Sequence, residues 1–174
     1  MEEKKMYTIS VYTENSIGLL NRISGIFLRR HINVESINSS KSEIKNVTRL
    51  TLLVEITESQ MKKIIGQIEK QIEVVKAFYH TDIDTVYQES CLFKLNPNLL
   101  MGNHDVQSII NNSTSRVINI SKDFIVLEKS GSKEDVESLY ESLDKYGIMQ
   151  FVRSGRIAIT KEEMNISNLL SVNN

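Results

Sequence analysis

The pattern of hydrophobic and polar residues over the first half of the chain changes its period in a regular order. Strict alternation over residues 7–12 predicts a half-buried strand, and apolar residues at helical spacing predict a helix from about 18 to 30. Two strand-like stretches follow, at 32–42 and 47–57, with a polar hairpin between them. A second helical stripe and then a strand at 74–80 complete the order βαββαβ.

The second half of the chain repeats this order less clearly. Residues 91–95 are typical of a strand, and a short helical stripe follows them. Two strands are predicted at 116–120 and 124–128, joined by a turn-forming Ser-Lys-Asp stretch. A further helix and a strand at 148–152 complete the second unit, and a last strand is predicted at 156–160.

Each βαββαβ unit has the order of a two-layer sandwich, with two helices on one face of an antiparallel sheet. The sequence therefore predicts an α+β protein built of two ferredoxin-like βαββαβ sandwiches. We expect a first domain over residues 1–82, a second over 83–163 and a frayed tail over 164–174. The uncovered sheet faces and edge strands favour a homodimer or a larger assembly.

Composition and charge narrow the class of protein. The 174 residues include 21 basic and 22 acidic side chains, and a net charge of −1 does not favour binding to nucleic acid or to a membrane surface. The apolar runs are far shorter than the roughly 20 residues that span a bilayer. The N-terminal sequence MEEKKMYTISVY lacks the apolar region of a secretion signal. We expect a soluble, cytoplasmic protein without nucleic-acid or membrane partners.

A search for catalytic chemistry finds no convergent set of residues. The histidines His31, His80 and His104 are scattered and lack the spacing of metal ligands. Cys91 stands in an apolar strand, where a buried and inert thiol is the ordinary outcome. No phosphate-binding, metalloprotease or nucleophile-elbow motif occurs. We therefore predict no catalytic residue and no metal site in this chain.

The first strand-to-helix turn is the most informative segment. Asn15 ends the predicted strand, and Gly18 stands where the helix opens. A helix start exposes up to four unpaired N–H groups at the positive end of the dipole, which can hold a carboxylate. Glycine lets a ligand approach the backbone. The same residues also suit an ordinary helix start, in which Asn15 or Ser16 caps the helix and Gly18 eases the turn.

The segment NSIGLLNRISGIFLRRHINVESI (15–37) carries two motifs, N-x-x-G-x-L-x-R-x-x-G-x-F and a closing R-x-x-N-V-E-S-I. It resembles the opening of the ACT domain in the small regulatory subunit of acetolactate synthase (acetohydroxyacid synthase). Shorter matches continue the resemblance in order to about residue 162. They comprise Arg49 and Thr51, then Glu89, Leu92 and Lys94, and finally Arg153, Ser154 and Gly155.

Two positions depart from the family's pattern. His31 stands just past the first helix, where the family often has glycine at a site that favours a positive φ. Ile17 replaces the usual proline, serine or other small residue before Gly18. Both positions flank the effector pocket that the resemblance implies.

The resemblance implies a regulatory subunit without catalytic activity. Its partner, the catalytic large subunit, would carry thiamine diphosphate, FAD and Mg²⁺. That partner would condense pyruvate with pyruvate or 2-ketobutyrate in valine, leucine and isoleucine biosynthesis. The small subunit would raise this activity and confer feedback inhibition by valine or a related branched-chain amino acid.

The resemblance also implies an effector site between two paired ACT domains. Asn15, Gly18 and Leu19 would face the effector's carboxylate, and Ile17 and Val34 would help to line the pocket for its side chain. Asn33 would approach from the paired subunit. Without the resemblance, Asn33 is an ordinary turn residue before the second strand. For docking on the large subunit the candidates are Arg29 and Arg30, whose simpler interpretation is a solvated helix face.

Two other functions stay open from the sequence. One is a free-standing ACT-type amino-acid sensor that controls another enzyme or transcription. A DNA-binding version would need a basic arm or a recognition helix, and neither is evident. The other is a small enzyme on a ferredoxin-like scaffold, which needs an acid–base set that the sequence does not offer.

Overall fold

The computed structural model describes residues 2–171 of the chain, which form two compact units. Unit 1 comprises residues 2–87 together with 156–171, and unit 2 comprises residues 88–155. This division differs from the predicted boundary after residue 82 and from the predicted second domain over 83–163. The difference arises because the chain returns to unit 1 after Gly155.

Unit 1 contains a four-stranded antiparallel sheet in the order β2-β3-β1-β4, with two helices on one face. This order places β2 and β4 at the edges. The elements are β1 (Lys5–Glu14), α1 (Leu19–Leu28), β2 (Val34–Lys41), β3 (Val47–Ile56), α2 (Glu58–Ile68) and β4 (Val74–Thr81). The predicted βαββαβ order and the α+β class are confirmed.

Unit 2 repeats the arrangement with the sheet order β6-β7-β5-β8. Its strand β5 is the longest strand among the described residues, and two short helices occupy the place that α1 has in unit 1. The elements are β5 (Thr85–Leu95), α3 (Asn98–Gly102), α4 (His104–Asn112), β6 (Arg116–Ile120), β7 (Ile125–Gly131), α5 (Lys133–Asp144) and β8 (Ile148–Arg153). The first three residues of β5 belong to unit 1. The core of this unit is centred on Phe93, Leu95 and Leu127.

The side chains of β1 alternate between the two faces of the sheet, and the helices of unit 1 cover one of these faces. Tyr7, Ile9 and Val11 point into a core shared with α1 and α2. The intervening residues Thr8 and Ser10 are also buried, although the pattern predicted that their face is open. The prediction was wrong for unit 1 because a distant part of the same chain covers that face.

The cover is the segment of residues 156–166, here named the covering segment. It contains β9 (Ile157–Thr160) and ends where α6 (Ile166–Ser171) begins. The sequence predicted a frayed tail over 164–174, but residues 166–171 form this short helix, and 172–174 lie outside the described residues. The covering segment is held through Arg156, which donates to Thr8 Oγ1 at 3.1 Å and pairs with Asp82.

Candidate functional site

The turn between β1 and α1 (residues 15–18), here named the glycine turn, leaves the start of α1 uncapped. Gly18 is the N-cap residue and has φ +81° and ψ −1°, a left-handed conformation that favours glycine. No side chain caps the helix, and its first turn carries no acidic residue. The alternative in which Asn15 or Ser16 caps α1 is therefore wrong. The positive end of the α1 dipole faces outward at an exposed glycine.

A cation stands beside this helix start. Arg22, one turn into α1, forms an ion pair with Glu73, and its Nη2 also donates to Ser16 Oγ at 3.4 Å. A Cβ placed on Gly18 would lie 3.6 Å from Arg22 Nη1. The N–H of Glu14 donates to the Glu73 carbonyl at 2.9 Å, so the turn is tied to the loop before β4.

Arg22 was not among the predicted effector residues, although it belongs to the motif. Its signal in the sequence was its spacing of four residues from Gly18, which places both on one side of a helix. Its charge is paired with Glu73, so the positive potential at the turn comes from the uncapped N–H groups of α1. These N–H groups can attract a carboxylate.

The two apolar residues that flank Gly18, Ile17 and Leu19, differ in exposure. The Leu19 side chain is buried in the core, so only its backbone faces the site, and its N–H makes a long 3.4 Å hydrogen bond to the Ser16 carbonyl. Ile17 is 99% exposed. Leu20 and Leu28 are also exposed on the outer side of α1, and with Ile17 they form an apolar stripe. Such a stripe suits a protein partner.

The structure does not bring Asn33 and Val34 to the glycine turn within one chain. Val34 pairs with Val54, which pairs with Tyr7, near the beginning of β1. The glycine turn follows the other end of β1. Tyr7 and the end of β1 at Glu14 are separated by seven residues of strand, about 24 Å at ~3.4 Å per residue. A site that includes Asn33 therefore needs a second chain.

The surroundings of these two residues differ. Asn33 is exposed, and its Nδ2 donates to Glu35 Oε1 at 2.7 Å. Val34 is half-buried and packs against the core of unit 1. Both stand at the start of β2, an edge strand that pairs only with β3 within the described residues. Each is therefore placed where a neighbouring chain can reach it.

The three basic residues after α1 have different environments. His31 has φ +53°, which confirms that its position favours a positive φ. Arg29 is exposed. Arg30 is half-buried, and its Nε donates to Gln67 Oε1 of α2 at 3.2 Å. Arg30 thus helps to hold the two helices together, and only Arg29 stays a docking candidate.

The other candidate groups do not form a reactive site. Cys91 is buried, and burial raises the pKa of its thiol, so the thiolate is disfavoured. Among residues 2–171, no three His, Cys, Asp or Glu side chains are placed to hold a metal ion. No helix in the same range has the length and apolar character needed to cross a membrane.

Comparison with known families identifies two matching regions. Residues 9–76 match the family described as the AHAS small subunit-like ACT domain. Residues 88–162 match the family described as the small subunit of acetolactate synthase. The two matches follow one another in the order that the sequence motifs predicted.

Individual relatives agree with these matches. The chain is 33% identical over 159 residues to the acetolactate synthase small subunit of Bacillus subtilis, with 91% of each chain covered. It is 30% identical over 156 residues to the probable acetolactate synthase small subunit of Archaeoglobus fulgidus, covering 89% of this chain and 96% of that one.

A solved structure shares the fold. The crystal structure of the acetolactate synthase small subunit from Thermotoga maritima matches with a TM-score of 0.82. The two chains are 22% identical, and the match covers 92% of this chain and 99% of the other. Both units of the chain are therefore present in that fold.

Proposed function

This chain belongs to the family of acetolactate synthase small subunits, and we propose that it activates a catalytic large subunit and makes it sensitive to valine or a related amino acid. The chain is a regulatory subunit, as its relatives' names and its ACT domain indicate. In this proposal, the large subunit binds thiamine diphosphate, FAD and Mg²⁺ and carries out the condensation.

The start of α1 is the observation that carries the effector proposal. An amino-acid carboxylate needs hydrogen-bond donors and a positive potential, and the glycine turn offers both. Gly18 has no side chain to obstruct the approach to the helix N–H groups, and the Arg22 guanidinium, paired with Glu73, lies nearby. In the same proposal, Asn15 binds the polar end of the effector, and Ile17 contacts its apolar side chain.

Pairing of two chains along β2 would complete this site. If two β2 edges pair antiparallel over Val34–Lys41, the first residue of one strand lies opposite the last residue of the other. Lys41 is level with Thr48 and, through it, with Thr13 at the end of β1. The partner subunit's Asn33 and Val34 would then lie on the same level as the glycine turn.

The apolar stripe on α1 supports the same homodimer. Ile17, Leu20 and Leu28 are exposed in one chain, and pairing side by side through sheet edges and helices would bury them. The covered sheet face of unit 1 no longer supports self-association. The homodimer proposal therefore rests on the β2 edge and on this stripe.

Inhibition in this proposal is a shift between two states of the assembled enzyme. Valine inhibits only if it binds the less active state more tightly than the active one. A ligand held between two ACT domains depends on how they pair. Any change of pairing that reaches the large subunit would therefore change activity.

The test is a valine titration of a purified large subunit reconstituted with this chain or with Gly18→Asp. The wild-type chain should raise turnover and confer inhibition. The variant should raise turnover too, but with an inhibition constant higher by about five- to a thousandfold. Two like charges ~4 Å apart repel by about 1 kcal/mol in water and about 4 kcal/mol at an effective dielectric constant of 20.

Two controls separate charge from backbone strain. Gly18→Asn has a similar shape at the same positive φ but no charge, so it should lose much less valine sensitivity. Gly147→Asp places the same charge at φ +87° in unit 2 and should keep full sensitivity. Unchanged inhibition in Gly18→Asp would contradict the proposed effector site. Failure of the wild-type chain to raise turnover would contradict the regulatory role.

A further inference from the structure

Unit 1 contains a second candidate binding site on the sheet face opposite its helices. A cavity of about 270 Å³ lies between this face and the covering segment. Thr8, Ser10 and Tyr12 of β1 line the cavity from the sheet, and Met164 and Ile166 line it from the covering side. It lies away from the glycine turn, which follows β1 and opens α1 on the other face.

Arg49 of β3 is a positively charged residue of the cavity lining. Its Nη2 donates to Ser10 Oγ at 3.0 Å and to the carbonyl of Ala158 in the covering segment. Its guanidinium carbon lies 5.7 Å from the centre of the Tyr12 ring. Its Nε is buried and has no hydrogen-bond partner among the described residues.

The charge of Arg49 is not neutralised within the described chain. Arg49 makes no ion pair with any residue of 2–171, whereas Arg156, in the same unit, pairs with Asp82. A half-buried cation with an unused donor is costly unless an anion comes close to it. Arg49 therefore brings a guanidinium without a carboxylate partner to the wall of a cavity that can hold a small molecule.

The other residues that line the cavity indicate which kind of ligand can bind. Phe78, Met164 and Ile166 provide apolar surface, which suits a short hydrocarbon group. Glu43 and Glu162 are exposed residues of the lining and carry negative charge. They disfavour an ion with two negative charges, such as phosphate, more than an ion with one.

We propose that this cavity binds a small monocarboxylate with a short apolar chain. The carboxylate accepts hydrogen bonds from the Arg49 guanidinium, and the apolar chain lies against Phe78 and Met164. The ligand contacts both the sheet and the covering segment. Binding therefore stabilises the covering segment on unit 1.

Hexanoate is a suitable probe, and its binding can be followed by saturation-transfer and ¹H–¹⁵N NMR on the full chain. A Kd of about 1 mM is expected for a ligand of this size. Shifts should appear at Ser10, Tyr12 and Arg49. Hexan-1-ol, acetate and phosphate should each bind at least about tenfold more weakly, because each lacks the apolar chain, the single charge or both.

Two variants and a matched control test the role of Arg49. Arg49→Met should weaken hexanoate binding by about tenfold to a hundredfold, the usual effect of losing a hydrogen bond to a charged group. Met164→Trp keeps Arg49 and fills the cavity, so it should weaken binding as well. Arg30→Met makes the same chemical change at a half-buried arginine between the helices and should leave hexanoate binding unchanged.

Three results would overturn the proposal. One is the absence of hexanoate binding at concentrations well above the expected Kd. Another is equal binding by wild-type and Arg49→Met chains. The last is a set of NMR shifts confined to the glycine turn, which would place the carboxylate at the proposed effector site instead. A failed valine titration would leave this proposal unaffected, because the two sites use different residues.

Discussion

Gly147 and Gly66 differ in backbone conformation, because only Gly147 has a positive φ. Gly147 follows α5 with φ +87°, a conformation that costs an L-residue roughly 1–2 kcal/mol. Gly66 lies in α2 on an exposed surface, and outside the neighbouring helix backbone no atom lies within 4 Å of the position where a Cβ would stand. Alanine at these two positions therefore has opposite consequences.

Gly147→Ala is expected to lower the free energy of unfolding by about 1–2 kcal/mol because of its positive φ. Gly66→Ala should raise it by about 0.5–1 kcal/mol, because alanine restricts the unfolded chain and suits a helix interior. Urea unfolding followed by circular dichroism measures both. Changes of the same sign would contradict the backbone conformations described above.

At the scale of elements, the helices begin in two different ways. Thr57 with Gln60 caps α2, and Ser132 with Asp135 caps α5, each as a reciprocal capping box. The start of α1 lacks any such cap. Side-chain caps are thus present at α2 and α5 and absent at the helix proposed to receive a ligand.

The cap of α5 makes part of the stability depend on pH. Hydrogen bonds from the Ser132 backbone N–H and side chain hold the pKa of Asp135 below its usual value. A carboxyl whose pKa is lowered on folding stabilises the native state above its unfolded pKa of about 3.9, and this contribution disappears as pH falls through the folded pKa.

Asp135→Asn should therefore lower the free energy of unfolding by about 0.5–1 kcal/mol at pH 7, and the difference from wild type should vanish in strong acid. Thermal unfolding over a series of pH values measures this difference. Glu141→Gln, on the exposed side of the same helix, is the control. A difference that grows as pH falls below 4 would contradict the assigned direction.

At the scale of the whole molecule, side chains far apart in sequence hold unit 1 together. Arg156 is 4% exposed, pairs with Asp82 and lies 3.7 Å from the centre of the Tyr87 ring. Lys161 adds a backbone hydrogen bond of 2.8 Å to the Asp84 carbonyl. These contacts attach the covering segment, and with it the wall of the cavity, to the ACT sheet.

Asp82→Ala should cost about 2–3 kcal/mol of unfolding free energy, because it leaves a buried guanidinium without its carboxylate. Lys62→Ala breaks the exposed Lys62–Glu58 pair and should leave the stability nearly unchanged. Chemical denaturation measures both. Equal effects of the two substitutions would mean that Arg156 is not held as described.

The sequence predicted most strands and helices of both units because their periodicity is local. Strand alternation at Tyr7–Val11 and the stripe of Met61, Ile64 and Ile68 point to one core, and these residues are in it. Gly18 was predicted from the needs of a helix start, and the positive φ at His31 from the glycine that the family often has there. The effector residues Asn15, Ile17, Leu19, Asn33 and Val34 stay predictions, since their site needs a second chain.

Short-range spacing and ordered motifs are enough to predict the order of elements, the core face of each and the family. What covers Thr8 and Ser10 is visible only in the folded chain. Alternation shows that two faces of a strand differ, but it does not say whether water or protein lies on the polar one. Here a segment about 150 residues away lies on that face. It is held there because Arg156 donates hydrogen bonds to both Thr8 and Asp82.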